Sequence, residues 1–133
     1  MRLLIIDTYK VKTSFSEKVI RGIKKHAILR DKQNKWTVGA DINFVNRDNV
    51  EFATLECLSI QRIEIRYKVN STEVNIWIGG VYLGGYDTET NEVNRDRLKQ
   101  FVLNEGFQNV EAFFDWFQEN LNGKVIHWTN ESY

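Results

Sequence analysis

Proline is missing from this 133-residue chain, and cysteine and methionine occur once each. With no proline and no stretch rich in glycine and serine, nothing in the sequence reads as an interdomain linker. The single cysteine, Cys57, excludes an intramolecular disulfide. The apolar run Leu3–Ile6 is far shorter than a secretion signal, and no run approaches the roughly 18 residues of a membrane helix. These absences point to the reducing cytoplasm. Net charge is also absent, with 18 Lys+Arg balancing 18 Asp+Glu. The balance hides an asymmetry, because residues 1–47 carry 11 basic and 4 acidic side chains and residues 48–133 carry 7 and 14. The first third is therefore +7 and the remainder −7. That permits an anionic partner for the first third, although folding could interleave the two signs.

A chain of this length makes one domain that buries roughly two-thirds of its unfolded surface, so neither metal nor disulfide is needed for folding. Leu3–Ile6 reads as a buried strand. Ser14-x-x-Glu17 is a capping-box pattern, opening a short helix with Val19, Ile20 and Ile23 inward. His26–Leu29 fits a strand, followed by a polar turn from Asp31 to Lys35. In Asp41–Val45, Ile42 and Phe44 alternate with polar residues as in a half-buried strand. Residues 52–69 form the longest β-like segment. Its apolar positions are odd at Leu55 and Cys57, even at Leu58 and Ile60, and odd again at Ile63, Ile65 and Tyr67. Strand side chains alternate strictly, so two phase changes predict a bulge, turn or bend near residues 57–62 and a curved or barrel-like sheet. Val74, Ile76 and Ile78 mark a strand after the turn Asn70–Thr72, and the glycines from Gly79 to Gly85 suggest tight turns around another.

Past Gly85 the apolar period lengthens to about 3.6 residues. Leu98, Phe101 and Val102 predict a helix opening near Asn94; Val110, Phe113, Phe114, Phe117 and Leu121 predict a second, opening near Asn109. Gly106 separates them and Gly123 would end the second, before a strand over Lys124–Thr129. The expected class is α+β, a bent sheet or small barrel with three helices.

Chemistry concentrates in Gly22–Gly39, which holds Lys24, Lys25, Arg30, Lys32, Lys35, His26 and Trp36. Such a cationic loop beside ordered elements suits an anionic or polar partner, the plain alternative being a solvated basic turn. The two histidines, His26 and His127, come without a cysteine pair or HxxxH spacing, so no metal site is expected. No nucleophile elbow, Walker A or GxGxxG motif occurs, and no cofactor is expected. Cys57 reads as a small buried hydrophobe. The helical spacing of Phe113, Phe114 and Phe117 is that of a core, with Trp116 slightly off it, at the core periphery or, alternatively, flanking a cleft. Trp128 fits packing in a terminal strand or, alternatively, stacking on a base.

The run Gly22-Ile23-Lys24-Lys25-His26-Ala27-Ile28-Leu29-Arg30-Asp31, with Trp36 and Val38-Gly39 before the strand Ile42–Val45, resembles the signature of the ASCH domain, a branch of the PUA-like superfamily. Asn104-Glu105-Gly106-Phe107, Glu111-x-Phe113-Phe114-x-Trp116-Phe117 and Gly123-Lys124-Val125-Ile126-His127-Trp128-Thr129 with a final tyrosine resemble the second half of small stand-alone members. The resemblance implies a small β-barrel with packed helices, and either RNA binding beside the barrel or hydrolysis of N4-acetylcytidine. In the hydrolytic branch a lysine takes the proton of a threonine hydroxyl, the alkoxide attacks the acyl carbon, and a glutamic acid assists the leaving amine. The lysine falls on Lys24 and the glutamate on Glu105, but the threonine falls on Ala27, which has no oxygen. The family arginine falls on Leu29, with Arg30 one place later. The resemblance therefore implies a cytoplasmic domain that binds RNA or a modified nucleoside through Lys24, Lys25, His26, Arg30, Trp36, Glu105 and Trp128, without membrane or metal. The alternative is an amidohydrolase in which Lys24 and Glu105 activate water.

Overall fold

Two sheets form because the chain changes partners at Cys57–Leu58. The computed structural model describes residues 15–133 and the backbone of Arg2–Ile5. Ile6 and Ser14, which the sequence places in the first strand and the capping box, lie outside the described residues. Strand β1 (Arg2–Ile5) runs parallel to β3 (Asp41–Val45), which pairs antiparallel with β4 (Glu51–Glu56). The second sheet is antiparallel, in the order β2 (His26–Leu29), β8 (Leu121–His127), β5 (Ser59–Tyr67), β6 (Glu73–Ile78) and β7 (Val81–Asp87). With helices α1 (Phe15–Ile20), α2 (Asp96–Glu105) and α3 (Val110–Trp116), the described residues form the expected α+β arrangement. None of these helices is long and apolar enough to cross a membrane.

The switch between sheets is visible in the backbone. Cys57 exchanges hydrogen bonds with the β3 side, its N–H donating to Ala40 O and its own oxygen accepting from Gly39 N, both at 2.8 Å. The next residue, Leu58, donates instead to His127 O in the second sheet, at 2.8 Å. One of the two expected phase changes is this bend. The other is not a bend at all, since β5 keeps an unbroken register with β8 from Ser59↔His127 to Ile65↔Leu121. Ile60 departs from the phase of Ile63 and Ile65 because it packs in a different core.

That second core explains much of the pattern. Ile63, Ile65, Val74, Ile76 and Ile78 pack one face of the five-stranded sheet against α2 and α3 through Leu98, Phe101 and Phe113. Ala27 and Ile126, on the opposite face, join Ile42, Phe44, Cys57, Trp128 and the α1 residues Phe15 and Val19. Strands buried on both faces lose their clean alternation. In α1, Phe15 and Val19, four residues apart, fix the inward face. Ile20 and Ile23, expected inward, are instead 67% and 46% exposed.

The later helices begin and end close to their signals. Asn109 caps α3 as expected, its side chain accepting from Ala112 N at 2.8 Å. Asn94 does not cap α2; its side-chain oxygen accepts from Gly85 N at 2.8 Å, and α2 begins after Arg95. Gly106 closes α2 in the left-handed region at φ 100°, as the sequence suggests. Gly79–Gly80 turns β6 into β7, but Gly84 and Gly85 lie inside β7. The larger correction concerns α3, which stops at Trp116, so that Leu121 and Gly123 belong to β8 and that strand starts before Lys124. Gly123 is a packing glycine rather than a helix terminator: a Cβ there would stand 2.6 Å from Leu29 O. Gly123→Ala is expected to separate β2 from β8 and cost about 1–3 kcal/mol, seen as a lower urea midpoint at unchanged denaturant slope.

Candidate functional site

The last turn of α2 abuts the start of β2, where Lys25 N donates to Asn104 O at 2.7 Å. A helix end presents unpaired carbonyls and partial negative charge. Two lysines answer it: Lys18 Nζ donates to Gly106 O and Lys24 Nζ to Glu105 O, each at 2.5 Å. Lys24 also lies 4.9 Å from the centre of the Phe15 ring, a cation–π distance.

The Glu105 side chain turns back into the same space and is almost wholly buried, at 3% exposure. Its Oε1 accepts from Lys24 Nζ at 3.2 Å and from Ile28 N at 3.1 Å, and its Oε2 lies 2.6 Å from His26 Nδ1. Burial alone would push this carboxyl up, but the Lys24 ammonium and the His26 hydrogen bond reverse that and hold it below the usual carboxylate range. The group is thus an anion with three donors.

His26 is fully buried and carries the chain of contacts onward, its Nε2 lying 2.8 Å from Tyr133 Oη. Asn104 Nδ2 donates to that same oxygen at 2.7 Å, while Asn104 Oδ1 accepts from Gln100 at 3.0 Å. In the neutral tautomer that places Nδ1–H on Glu105, the phenol hydrogen is directed at His26 Nε2. Burial pushes the Tyr133 hydroxyl up to about 12. Hydroxyl, imidazole and carboxylate stand in line, but the hydroxyl is a reluctant acid.

His127 lies opposite His26 in the β2–β8 register, with ring centres 5.1 Å apart. Its Nε2 is 2.9 Å from Gln61 Oε1, an oxygen that also accepts from Tyr133 N at 3.0 Å. Nε2 thus carries the hydrogen, and Nδ1 presents a buried lone pair with no partner among the described residues. Burial, reinforced by neighbouring His26, lowers the His127 pKa to about 4.

Of the residues singled out from sequence, Lys24, His26 and Glu105 come together. Lys25 sits beside them and pairs with Glu131 at 3.2 Å. Trp128 does not present a stacking face: it is 7% exposed, packs edge-on to Phe44, and donates from Nε1 to Lys24 O at 3.2 Å. Trp36 is half-buried against the same second core. Ala27 points into that core, away from the face that carries His26. Arg30 is exposed elsewhere, lining a cleft of about 520 Å³ with Asp115, Trp116, Phe117, Gln118 and Glu119. Trp116, 40% exposed, lines that cleft, the alternative to a peripheral core position. Asn104, His127 and Tyr133 stood within the motifs quoted above, but only pairing across the fold gives them a role; Gln61 had no sequence signal.

Among the described residues no three His, Cys, Asp or Glu side chains are placed to hold a metal ion. In comparisons with known proteins, no family model, no curated protein and no solved structure matches this chain. The functional reading rests on the geometry and on the motifs.

Removing the carboxylate takes the counter-ion from Lys24, which keeps its bond to Glu105 O, and the acceptor from both the His26 Nδ1–H and the Ile28 N–H. Glu105→Ala is expected to destabilise the fold by about 3–5 kcal/mol in urea titrations. A pH effect follows from His127. Its folded value of about 4 lies below the ordinary 6.5, so between them the unfolded chain binds more protons. Stability is full above pH 6.5 and falls as pH drops towards 4, by up to about 3 kcal/mol from this group. His127→Gln should flatten that part of a plot of unfolding free energy against pH.

Proposed function

We infer that the chain is an ASCH-like, PUA-like domain that binds RNA or a modified nucleoside without hydrolysing it. The observation that carries this reading is the meeting of Lys24 and Glu105, 81 positions apart, in one buried ion pair with His26 beside it. These are the two residues onto which the family's lysine and glutamate fall. A PUA-like barrel is supported by the chain's passage between sheets at Cys57–Leu58 and by the core the two sheets share.

Binding is favoured over catalysis by the chemistry of the same residues. Lys24 Nζ already donates to the carboxylate and to the main-chain oxygen of Glu105. Ala27 has no hydroxyl and faces the other core. The Lys24–Glu105 pair is equally what the hydrolase reading requires; what that reading lacks is a hydroxyl at the Ala27 position.

For RNA, the cleft beside Arg30 supports the reading with a part-exposed Trp116 for a base and a guanidinium for phosphate, against two carboxylates, Asp115 and Glu119, in the same lining. Lys32 and Lys35 lie exposed on the turn that follows. Three phosphate contacts on a single strand give a salt slope of about −2, so affinity for a labelled single-stranded RNA should fall roughly 20-fold between 50 and 200 mM salt. Arg30→Glu should weaken binding and flatten the slope by about one. An isotherm indifferent to salt removes the phosphate contacts from the reading. Release of acetate from N4-acetylcytidine, abolished in Lys24→Ala and Glu105→Ala, replaces binding with hydrolysis.

A further inference from the structure

The cleft at the Leu29–Arg30 end of β2 carries charges that the fold leaves unused. Phe117 and Leu121 give it apolar lining, Trp116 and Arg30 stand at it, and Asp115 and Glu119 add two carboxylates. Among the described residues, Arg30, Asp115 and Glu119 form no ion pair with one another or with a third side chain. The acid beside Arg30 in sequence does not serve it. The Asp31 side chain is 2% exposed and is committed to Lys124 Nζ at 3.0 Å and to the N–H groups of Lys35 and Trp36 at 2.7 and 3.1 Å. The acidic side of the cleft is fixed in place. Tyr67, in β5, donates its hydroxyl to Phe117 O at 2.5 Å and its N–H to Asn120 Oδ1 at 2.7 Å, and Gln118 Nε2 donates to Asp115 O at 2.8 Å. These bonds pin the end of α3 and the turn after it, where Asp115 and Glu119 lie. Trp116 rests against Phe107, ring centres 6.4 Å apart, and keeps part of its indole open.

We propose that this cleft binds a basic α-amino acid of the arginine type, its carboxylate on Arg30 and its two cationic groups on Asp115 and Glu119. Charge selects the class. A ligand with only negative groups satisfies Arg30 but meets two carboxylates, and a polyamine satisfies the carboxylates but meets Arg30. One carboxylate with two cations matches all three, and arginine and lysine as free amino acids carry that set. Trp116 favours arginine of the two, because a guanidinium plane stacks on an indole face and pairs with a carboxylate through two N–H bonds. The C-terminal end of α3, which supplies Asp115 and Trp116, adds partial negative charge on the same side. A cleft of about 520 Å³ lies within the range of small-molecule sites. The proposal does not rest on the RNA reading, which draws on Arg30, Lys32 and Lys35 and has no use for the two carboxylates.

The test is calorimetric titration of L-arginine, and of agmatine, which lacks the carboxylate, at about 50 mM salt. The proteins are the natural chain, Arg30→Gln and Asp115→Asn, both at exposed positions, with thermal melts to establish that each is folded. Arginine should bind the natural protein with a Kd of about 1 mM or lower, and agmatine about tenfold more weakly. Arg30→Gln should weaken arginine about tenfold and leave agmatine no weaker than before. Asp115→Asn should weaken both about threefold. Arginine binding weaker than about 1 mM, or none, overturns the proposal. So does an arginine affinity that neither substitution changes, which places the amino acid elsewhere on the protein. Equal losses for arginine and agmatine in Arg30→Gln overturn it too, because Arg30 then does not read the carboxylate. The RNA titration separates the two readings. Salt-dependent RNA binding by a protein that takes no arginine removes this site and keeps the RNA-binding domain. Arginine binding by a protein indifferent to RNA keeps the site and removes the RNA contacts.

Discussion

The buried carboxylate of Glu105 ties this fold together. It is the last residue of α2, yet its side-chain oxygens accept from β2 at Ile28 N and His26 Nδ1, and from Lys24 just before β2. Through His26 the same chain of bonds reaches Tyr133, and through Tyr133 it reaches Gln61 in β5 and His127 in β8. An anion taken out of water loses several kcal/mol of hydration, which only close donors offset. Here the donors come from segments far apart in sequence, so the helix, the edge strand and segment 129–133 have to be correctly placed together. An apolar substitute could stabilise as much, but it would tolerate sliding; three directional bonds do not.

How far this was legible from sequence depends on the range of the interaction. The bounds of His26–Leu29 and Asp41–Val45 were readable to the residue, although Asp41–Val45, expected half-buried, buries Asn43 as well as Ile42 and Phe44; the Asn109 cap and the Gly106 stop announce themselves within a turn. Local chemistry sets those features. Ile60 misled because alternation reports one buried face, whereas β5 borders two cores. Gly123 misled for a related reason. A glycine after a helical pattern usually marks a C′ position, but this one is required by the closeness of Leu29 O on a neighbouring strand, which sequence spacing does not encode. At the site, motif order alone put Lys24 and Glu105 forward. That both are buried, that His26 bridges to Tyr133, and that Gln61 takes part all depend on contacts more than 70 positions apart.

The opposed charges of the two parts of the chain resolve in the same way. Lys24 meets Glu105, Lys25 meets Glu131, and Lys124 meets Asp31 at 3.0 Å, so each of these pairs joins the basic first third to the acidic remainder or the reverse. The Asp31 carboxyl, which burial would raise, is held below its usual range by Lys124 and by the backbone N–H groups of Lys35 and Trp36. Asp31 therefore shapes the basic turn from inside rather than adding negative charge to its surface, while Arg30, Lys32 and Lys35 point outward around it. The +7 excess read from sequence thus overstates the field a partner would meet. What remains exposed is a short arc of Arg30, Lys32 and Lys35, and the cleft that Arg30 lines also carries Asp115 and Glu119. The buried cluster and that arc lie at opposite ends of β2, His26 at one and Leu29–Arg30 at the other, so this four-residue strand sets the distance between them.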